Sequence, residues 1–145
     1  MLQIVWLKRD IRLHDHAPLA AAVATGLPVL LLYVFEPSLM KAPDYDVRHA
    51  RFVWQSLQDL KYQLAGKAQM LVLKGEVMDM LQAICMEQPI QGLYSHMETG
   101  NALSYARDKA VARWCRQRGI GWQQWGDRGI VRGLQQRNNW PKKWY

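Results

Sequence analysis

Val5-Trp6-Leu7-Lys8-Arg9-Asp10-Ile11-Arg12-Leu13-His14-Asp15-His16-Ala17-Pro18-Leu19 carries, in order, the end of an apolar run, a charged loop and the start of a helix. The apolar run opens at Leu2 and reads as a first strand over residues 2–7; residues 8–15 are polar and read as a loop. Pro18 suits the first turn of a helix reaching about Thr25, because its missing N–H is a donor that a helix start leaves unpaired anyway. Gly26 closes that helix. Asp15 is placed to cap it by accepting backbone N–H groups at the positive helix end. Arg9 and Asp10, at the end of a buried strand, are expected to form a mutual or loop-bridging ion pair. Arg12 is expected to pair with Asp15 or to reach across the domain.

Further along the chain the same alternation repeats. Residues 28–35 are continuously apolar, as in a strand covered on both faces. Residues 36–47, with Pro37 and Pro43, read as a loop. Phe52, Val53, Leu57, Leu60 and Leu64 recur at helical spacing and predict a helix over 48–65. A third strand is expected at 69–73, a Met-rich helix at 76–87 and a fourth strand at 90–95. A long helix at 102–118, ended by Gly119 and Gly121, precedes a short fifth strand at 121–125. Short apolar strands alternating with helices predict a doubly wound, Rossmann-like α/β fold. Its five-stranded parallel sheet has the first strand central and helices on both faces. Ligands in such folds sit beyond the carboxyl ends of the strands, where strand order reverses. The loops at 8–15, 36–47 and 96–101 are therefore the functional candidates.

The chain has 145 residues, half of them hydrophobic, enough for one domain with one core. No apolar run approaches the ~18 residues of a membrane span. The charges at residues 8–10 follow the first apolar stretch, the reverse of a signal peptide, so a cytoplasmic protein is expected. Cys85 and Cys115 read as reduced, buried thiols, too few for a disulfide framework. The net charge of +7 is uneven: residues 1–102 sum to −1 and residues 103–145 to +8. A basic last third is either a solvated helix face and linker or a surface for acidic partners.

Several chemistries lack their signatures. No Gly-x-Gly-x-x-Gly follows the first strand and no Walker-type loop occurs, which disfavours ordinary dinucleotide or P-loop binding. His14 and His16 lack an obvious third ligand, so no metal site is assigned. No nucleophile elbow is visible, and no catalytic residue is assigned.

The opening stretch closely resembles the amino terminus of DNA photolyases and cryptochromes: apolar-Trp-Phe-Arg/Lys-Arg-Asp-Leu-Arg, two residues, then Asp-Asn/His-x-x-Leu. Four further segments agree in order. Residues 29–37 resemble the family's second strand and its Pro turn. Arg51-Phe52-Val53-Trp54-Gln55-Ser56-Leu57-Gln58-Asp59-Leu60 resembles Arg-Phe-Leu-x-Glu-Ser-Leu-x-Asp-Leu. Gly75-Glu76 sits where members carry Gly-Asp/Glu, and Tyr105-Ala106-Arg107-Asp108 resembles Tyr-x-x-Arg-Asp. The likeness covers about residues 2–126. Departures are local. Gly129-Ile130-Val131-Arg132-Gly133-Leu134-Gln135-Gln136-Arg137 replaces the usual Pro-rich passage and resembles a divergent bacterial branch. The loop at 96–101 lacks the Asn-Glu pair through which some members bind folate.

The resemblance implies an amino-terminal light-harvesting or structural domain, residues 1–126, with residues 127–145 as a basic linker towards a helical FAD domain absent from this chain. It implies an antenna chromophore of folate, deazaflavin or flavin type, with FAD only in the absent domain. Lys8, Phe35, Glu36, Arg51, Glu98 and Asn101 are the pocket residues it indicates. The parent would be a deoxyribodipyrimidine photolyase, a carbon–carbon lyase that repairs damaged DNA with light. This chain alone is not expected to be active, because such catalysis resides in the cofactor. Its expected partners are the FAD domain and, through the full-length protein, damaged DNA. The alternatives are a cryptochrome signalling domain, a stand-alone nucleotide-binding protein, or a nucleic-acid module using Trp122, Trp125, Trp140 and Trp144 as stacking surfaces.

Overall fold

The structure is a computed structural model that describes residues 1–126. The chain runs β1 (Leu2–Leu7), α1 (Ala17–Ala24), β2 (Val29–Phe35), α2 (Pro37–Met40), α3 (Val47–Leu64), β3 (Gln69–Lys74), α4 (Val77–Glu87), β4 (Ile90–His96), α5 (Ala102–Arg118) and β5 (Gly121–Trp125). All pairings are parallel and the strand order is β3-β2-β1-β4-β5, with the first strand central as expected. The elements fall within a residue or two of the sequence reading, except α2. Pro37 at its first turn and Glu36 at its cap start this helix inside a segment that reads as loop.

The alternation of side chains along β1 builds two cores. Ile4 and Trp6 point to one face, where Val77 and Leu81 of α4 and Val111 and Trp114 of α5 cover them. Val5 and Leu7 point to the other, against Ala22 of α1 and Leu60 and Leu64 of α3. Every residue of β1 is buried, as a central strand requires. Chain order leaves β1 towards β2 and β3 on one side and towards β4 and β5 on the other. The reversal therefore lies between β1 and β4, at their carboxyl ends.

One local expectation is corrected, and two that were left open are decided. The cap of α1 is His16, not Asp15: His16 Nδ1 accepts the Leu19 N–H at 3.1 Å. Asp15 adopts a left-handed backbone (φ 52°), the turn that brings His16 into capping position. Of the two forms expected for Arg9 and Asp10, the mutual ion pair does not form and the loop-bridging one does, Arg9 reaching Glu98 and Asp10 reaching His96. Arg12 does meet residue 15, through the Asp15 carbonyl oxygen, at 3.3 and 3.4 Å. Cys115 is buried and Cys85 half-buried; both are free, and burial pushes the Cys115 thiol up to about 11. Among the described residues no helix is long and apolar enough to cross a membrane. The basic tail, with Trp140 and Trp144, lies outside the described residues.

Candidate functional site

A cavity of about 550 Å³ opens beyond the carboxyl ends of β1, β2 and β4. That volume lies within the ~300–1,000 Å³ typical of small-molecule sites. Its floor is ionic. Arg107, one and a half turns into α5, faces back over the strand ends. It donates from Nη1 to Glu36 at 2.6 Å, from Nη2 to Glu98 at 2.5 Å, and from Nε and Nη2 to Asp108 at 3.0 and 2.9 Å. Lys8 donates from Nζ to the other Asp108 oxygen at 2.6 Å. Three buried carboxylates thus surround two buried cations.

Two of the three carboxylates also serve the backbone. Glu36 Oε2 accepts the Val77 N–H at the start of α4 (3.3 Å), and Glu98 Oε1 accepts the N–H groups of Thr99 and Gly100 at 3.0 and 2.7 Å. Arg9, mostly exposed, approaches Glu98 Oε1 at 3.5 Å. Burial pushes the Glu36 carboxyl above its ordinary range, with Arg107 opposing. Burial acts upward on Glu98 as well, but Arg107, Lys8 and the Gly100 N–H together hold it below the usual value. Burial pulls Lys8 down, with Asp108 opposing. Burial would also lower Arg107, but Glu36, Asp108 and Glu98 outweigh it and raise it.

The walls are aromatic. Trp6, Tyr33, Tyr45, His49 and Phe52 line the cavity, and Phe52 is 72% exposed at its rim. Tyr45 and His49 meet edge-on at 5.7 Å between centroids. Burial, with Tyr45 and Glu36 nearby, pushes the Tyr33 phenol up to about 12. Beneath them Trp6 carries Lys8 Nζ at 4.3 Å and the Arg107 guanidinium at 4.7 Å from its ring centroid, and Trp122 lies 6.0 Å away.

Behind the cavity Asp10 holds the loop ends together. Its Oδ2 lies 2.6 Å from His96 Nδ1 and 2.7 Å from His16 Nε2, the latter off the line of a well-aligned hydrogen bond. Its Oδ1 accepts the Lys8 N–H at 2.8 Å. Burial acts upward on Asp10, and the two histidines with the Lys8 N–H reverse this and keep its carboxyl far below the ordinary range. The trio has the composition of a metal centre, with ligand atoms within 4.8 Å of one another. The His16 tautomer argues otherwise. Because Nδ1 accepts the Leu19 N–H, the ring proton sits on Nε2, the atom that would have to offer its lone pair to a metal. Ligation through Nε2 would require giving up the α1 cap.

Of the residues indicated by the sequence, Lys8, Glu36, Glu98 and Asn101 all line the cavity. Asn101 reaches Asp44 across the mouth at 3.2 Å and caps α5 by accepting the Ser104 N–H. Phe35 and Arg51 are not among the lining residues. Phe35 packs edge-on against Tyr33 at 4.9 Å. Arg51 is exposed on α3, and one residue on, a rotation of about 100° brings Phe52 to the cavity instead. Arg107 and the aromatic wall are the residues that sequence reasoning passed over as site residues. The signal for Arg107 was the Tyr105–Asp108 tetrad, so close behind a strand-end loop that its first turns must face the reversal point.

The family model for DNA photolyase matches residues 3–138. Cryptochrome DASH of Gloeobacter violaceus is 33% identical over 116 residues, covering 75% of this chain and 23% of its own length. The deoxyribodipyrimidine photo-lyase of Escherichia coli is 30% identical over 117 residues, covering 76% of this chain and 24% of its own. Among solved structures, an archaeal photolyase from Sulfolobus tokodaii superposes with a TM-score of 0.82 at 21% identity, over 99% of this chain and 34% of that one. That structure is described as holding two FAD molecules, with the implication of a novel light-harvesting cofactor. The chain spans about a quarter of the length of the curated relatives it matches.

Proposed function

Since the chain belongs to the DNA photolyase family and has the fold of its amino-terminal α/β domain, we propose that it serves as the antenna domain of a blue-light flavoprotein, most consistent with a photolyase acting in light-driven DNA repair. In this reading residues 1–126 form the chromophore-binding unit and residues 127–145 lead towards the FAD-binding partner domain. The whole protein would work in the cytoplasm on damaged DNA.

The observation that carries the reading is the cavity itself, with aromatic walls at the point where a doubly wound sheet places its ligands. Its chemistry favours a flavin over a folate. A folate's tail carries several separated carboxylates, and with Lys8 and Arg107 committed to Asp108, Glu36 and Glu98, Arg9 and Arg12 at the edge are too few to match them but enough for one phosphate. An isoalloxazine is a flat, nearly neutral ring suited to Tyr45, His49 and Phe52. Arg9 and Arg12 at the cavity edge are placed for a single phosphate beyond it. The two FAD molecules of the archaeal relative agree with this choice. Bound there, the chromophore would absorb blue light and pass excitation onward, while the chain's own residues hold the ring and exclude water. Equilibrium dialysis of the chain against riboflavin phosphate, a folate and a deazaflavin tests the reading. Tightest retention of the flavin is expected; equal or no retention of all three overturns it.

A further inference from the structure

Trp6 is 1% exposed, yet its ring borders the cavity, and two cations sit over it. Aromatic walls serve a light-harvesting ring only if they do not quench it. Indole is the most easily oxidised side chain of the cavity, and an excited isoalloxazine is a strong one-electron oxidant. Were transfer to occur, Trp6 would lose one electron and become a radical cation, the excited ring would gain that electron, and recombination would dissipate the excitation as heat. Trp122, 6.0 Å from Trp6, offers the positive hole a second resting place.

We propose that Lys8 and Arg107 hold Trp6 in a state from which an excited chromophore cannot readily take an electron. The inference rests on the antenna reading of the cavity. In the ground state the ammonium at 4.3 Å and the guanidinium at 4.7 Å are attracted by the electron-rich indole face. Once the ring is a cation the same contacts are repulsive, and water is too scarce at this buried position to screen them. Lys8 also lies 5.4 Å from the Trp122 ring, so the hole is opposed there too. Asp108, Glu36 and Glu98 are the counterweights: Asp108 takes hydrogen bonds from both cations and the two glutamates from Arg107, and together they cancel part of the cations' field. The ion pairs on the cavity floor therefore do more than position α5. They set how hard Trp6 is to oxidise, with Lys8 and Asp108 acting in opposite directions.

Two experiments separate this proposal from the reading it rests on. In the first, riboflavin is bound and its excited-state lifetime measured. Lys8→Gln should shorten the lifetime about threefold, the scale of losing one cation–π contact with a transition state that feels half of it. Trp6→Phe added to Lys8→Gln should restore it, and Asp108→Asn alone should not shorten it. An unchanged lifetime in Lys8→Gln, or shortening that survives Trp6→Phe, overturns the proposal. In the second, no chromophore is used. The chain is exposed to azide radicals, a one-electron oxidant, and oxidised tryptophans are mapped by mass spectrometry. Trp6 oxidation should rise about threefold in Lys8→Gln and fall in Asp108→Asn. Equal oxidation of Trp6 in all three proteins overturns the proposal even if riboflavin fails to bind. The expected oxidation pattern without riboflavin binding sinks the antenna reading alone. Should Lys8→Gln not fold, Asp108→Asn still decides the matter by the sign of its effect.

Discussion

Replacing Arg107 by methionine is the perturbation to which the cavity floor should respond most. Its side chain is only 12% exposed, and among the described residues it alone joins Glu36, Glu98 and Asp108. Methionine keeps much of the packing against Trp6 but leaves three carboxylates facing Lys8 and, at Glu98, the mostly exposed Arg9. Breaking a buried pair by removing one partner typically destabilises by about 3–5 kcal/mol. The lower end, about 3 kcal/mol, is expected here, because the cavity lets water reach Glu36 and Glu98 once the guanidinium is gone. The deficit should depend on pH in a definite direction. Glu36 already sits above its ordinary 4.5, and losing Arg107 raises it further. The folded variant then binds a proton that the unfolded chain does not, so its stability relative to wild type improves as pH falls from neutrality to about 5. Urea unfolding at both pH values, followed by far-ultraviolet circular dichroism, measures this. Adding Glu36→Gln should recover about 1 kcal/mol or more near neutrality, because one uncompensated charge disappears. A variant within about 0.5 kcal/mol of wild type, or a deficit indifferent to pH, would refute the assignment of Arg107 as the hub of the floor.

Other positions give independent checks. Asp10→Asn should lose about 2 kcal/mol or more near neutrality, since His16, His96 and the Lys8 N–H converge on this carboxylate. Because the folded value of Asp10 is depressed, its stabilisation is complete above the unfolded 3.8 and fades as pH falls through the folded value. The gap between variant and wild type in acid titrations should therefore begin to narrow only below about pH 4 and go on narrowing as the pH falls further. His16→Ala should lower stability by about 1 kcal/mol through loss of the α1 cap, measured by thermal unfolding. In β4, Gly92→Ala would drive a Cβ into the Gln3 amide oxygen and to 2.8 Å from the Tyr94 ring, so a loss of about 1–3 kcal/mol is expected in the same assay. Phe52→Ser should leave the melting temperature nearly unchanged, because Phe52 is exposed, while weakening flavin retention severalfold.

The sheet was legible because each strand is a short apolar run between polar loops, and a central β1 follows from five such strands alternating with helices. Boundaries were sharpest where chemistry changes abruptly, as at Leu7–Lys8 and Arg118–Gly119. The site was legible only in part. Lys8, Glu36, Glu98 and Asn101 end or follow strands, so topology alone brings them together. Arg51 and Phe52 differ by one residue on a helix, and which of them turns to the cavity depends on how α3 packs through Leu57, Leu60 and Leu64. The Asp10–His16–His96 cluster joins residues far apart in sequence, and His16 read as a companion of His14 until the left-handed turn at Asp15 separated them. The consumption of Lys8 by Asp108 is a three-dimensional fact with a functional consequence, because it changes which chromophore the cavity suits.

The central claim is that this cavity holds a flavin ring, and a crystal structure of the chain soaked with riboflavin phosphate tests it most directly. The account predicts the isoalloxazine against Tyr45 and Phe52, its phosphate turned towards Arg9 and Arg12, and the Arg107 contacts with Glu36 and Glu98 kept. A ring bound elsewhere on the surface, or a cavity left without density at saturating ligand, would contradict it.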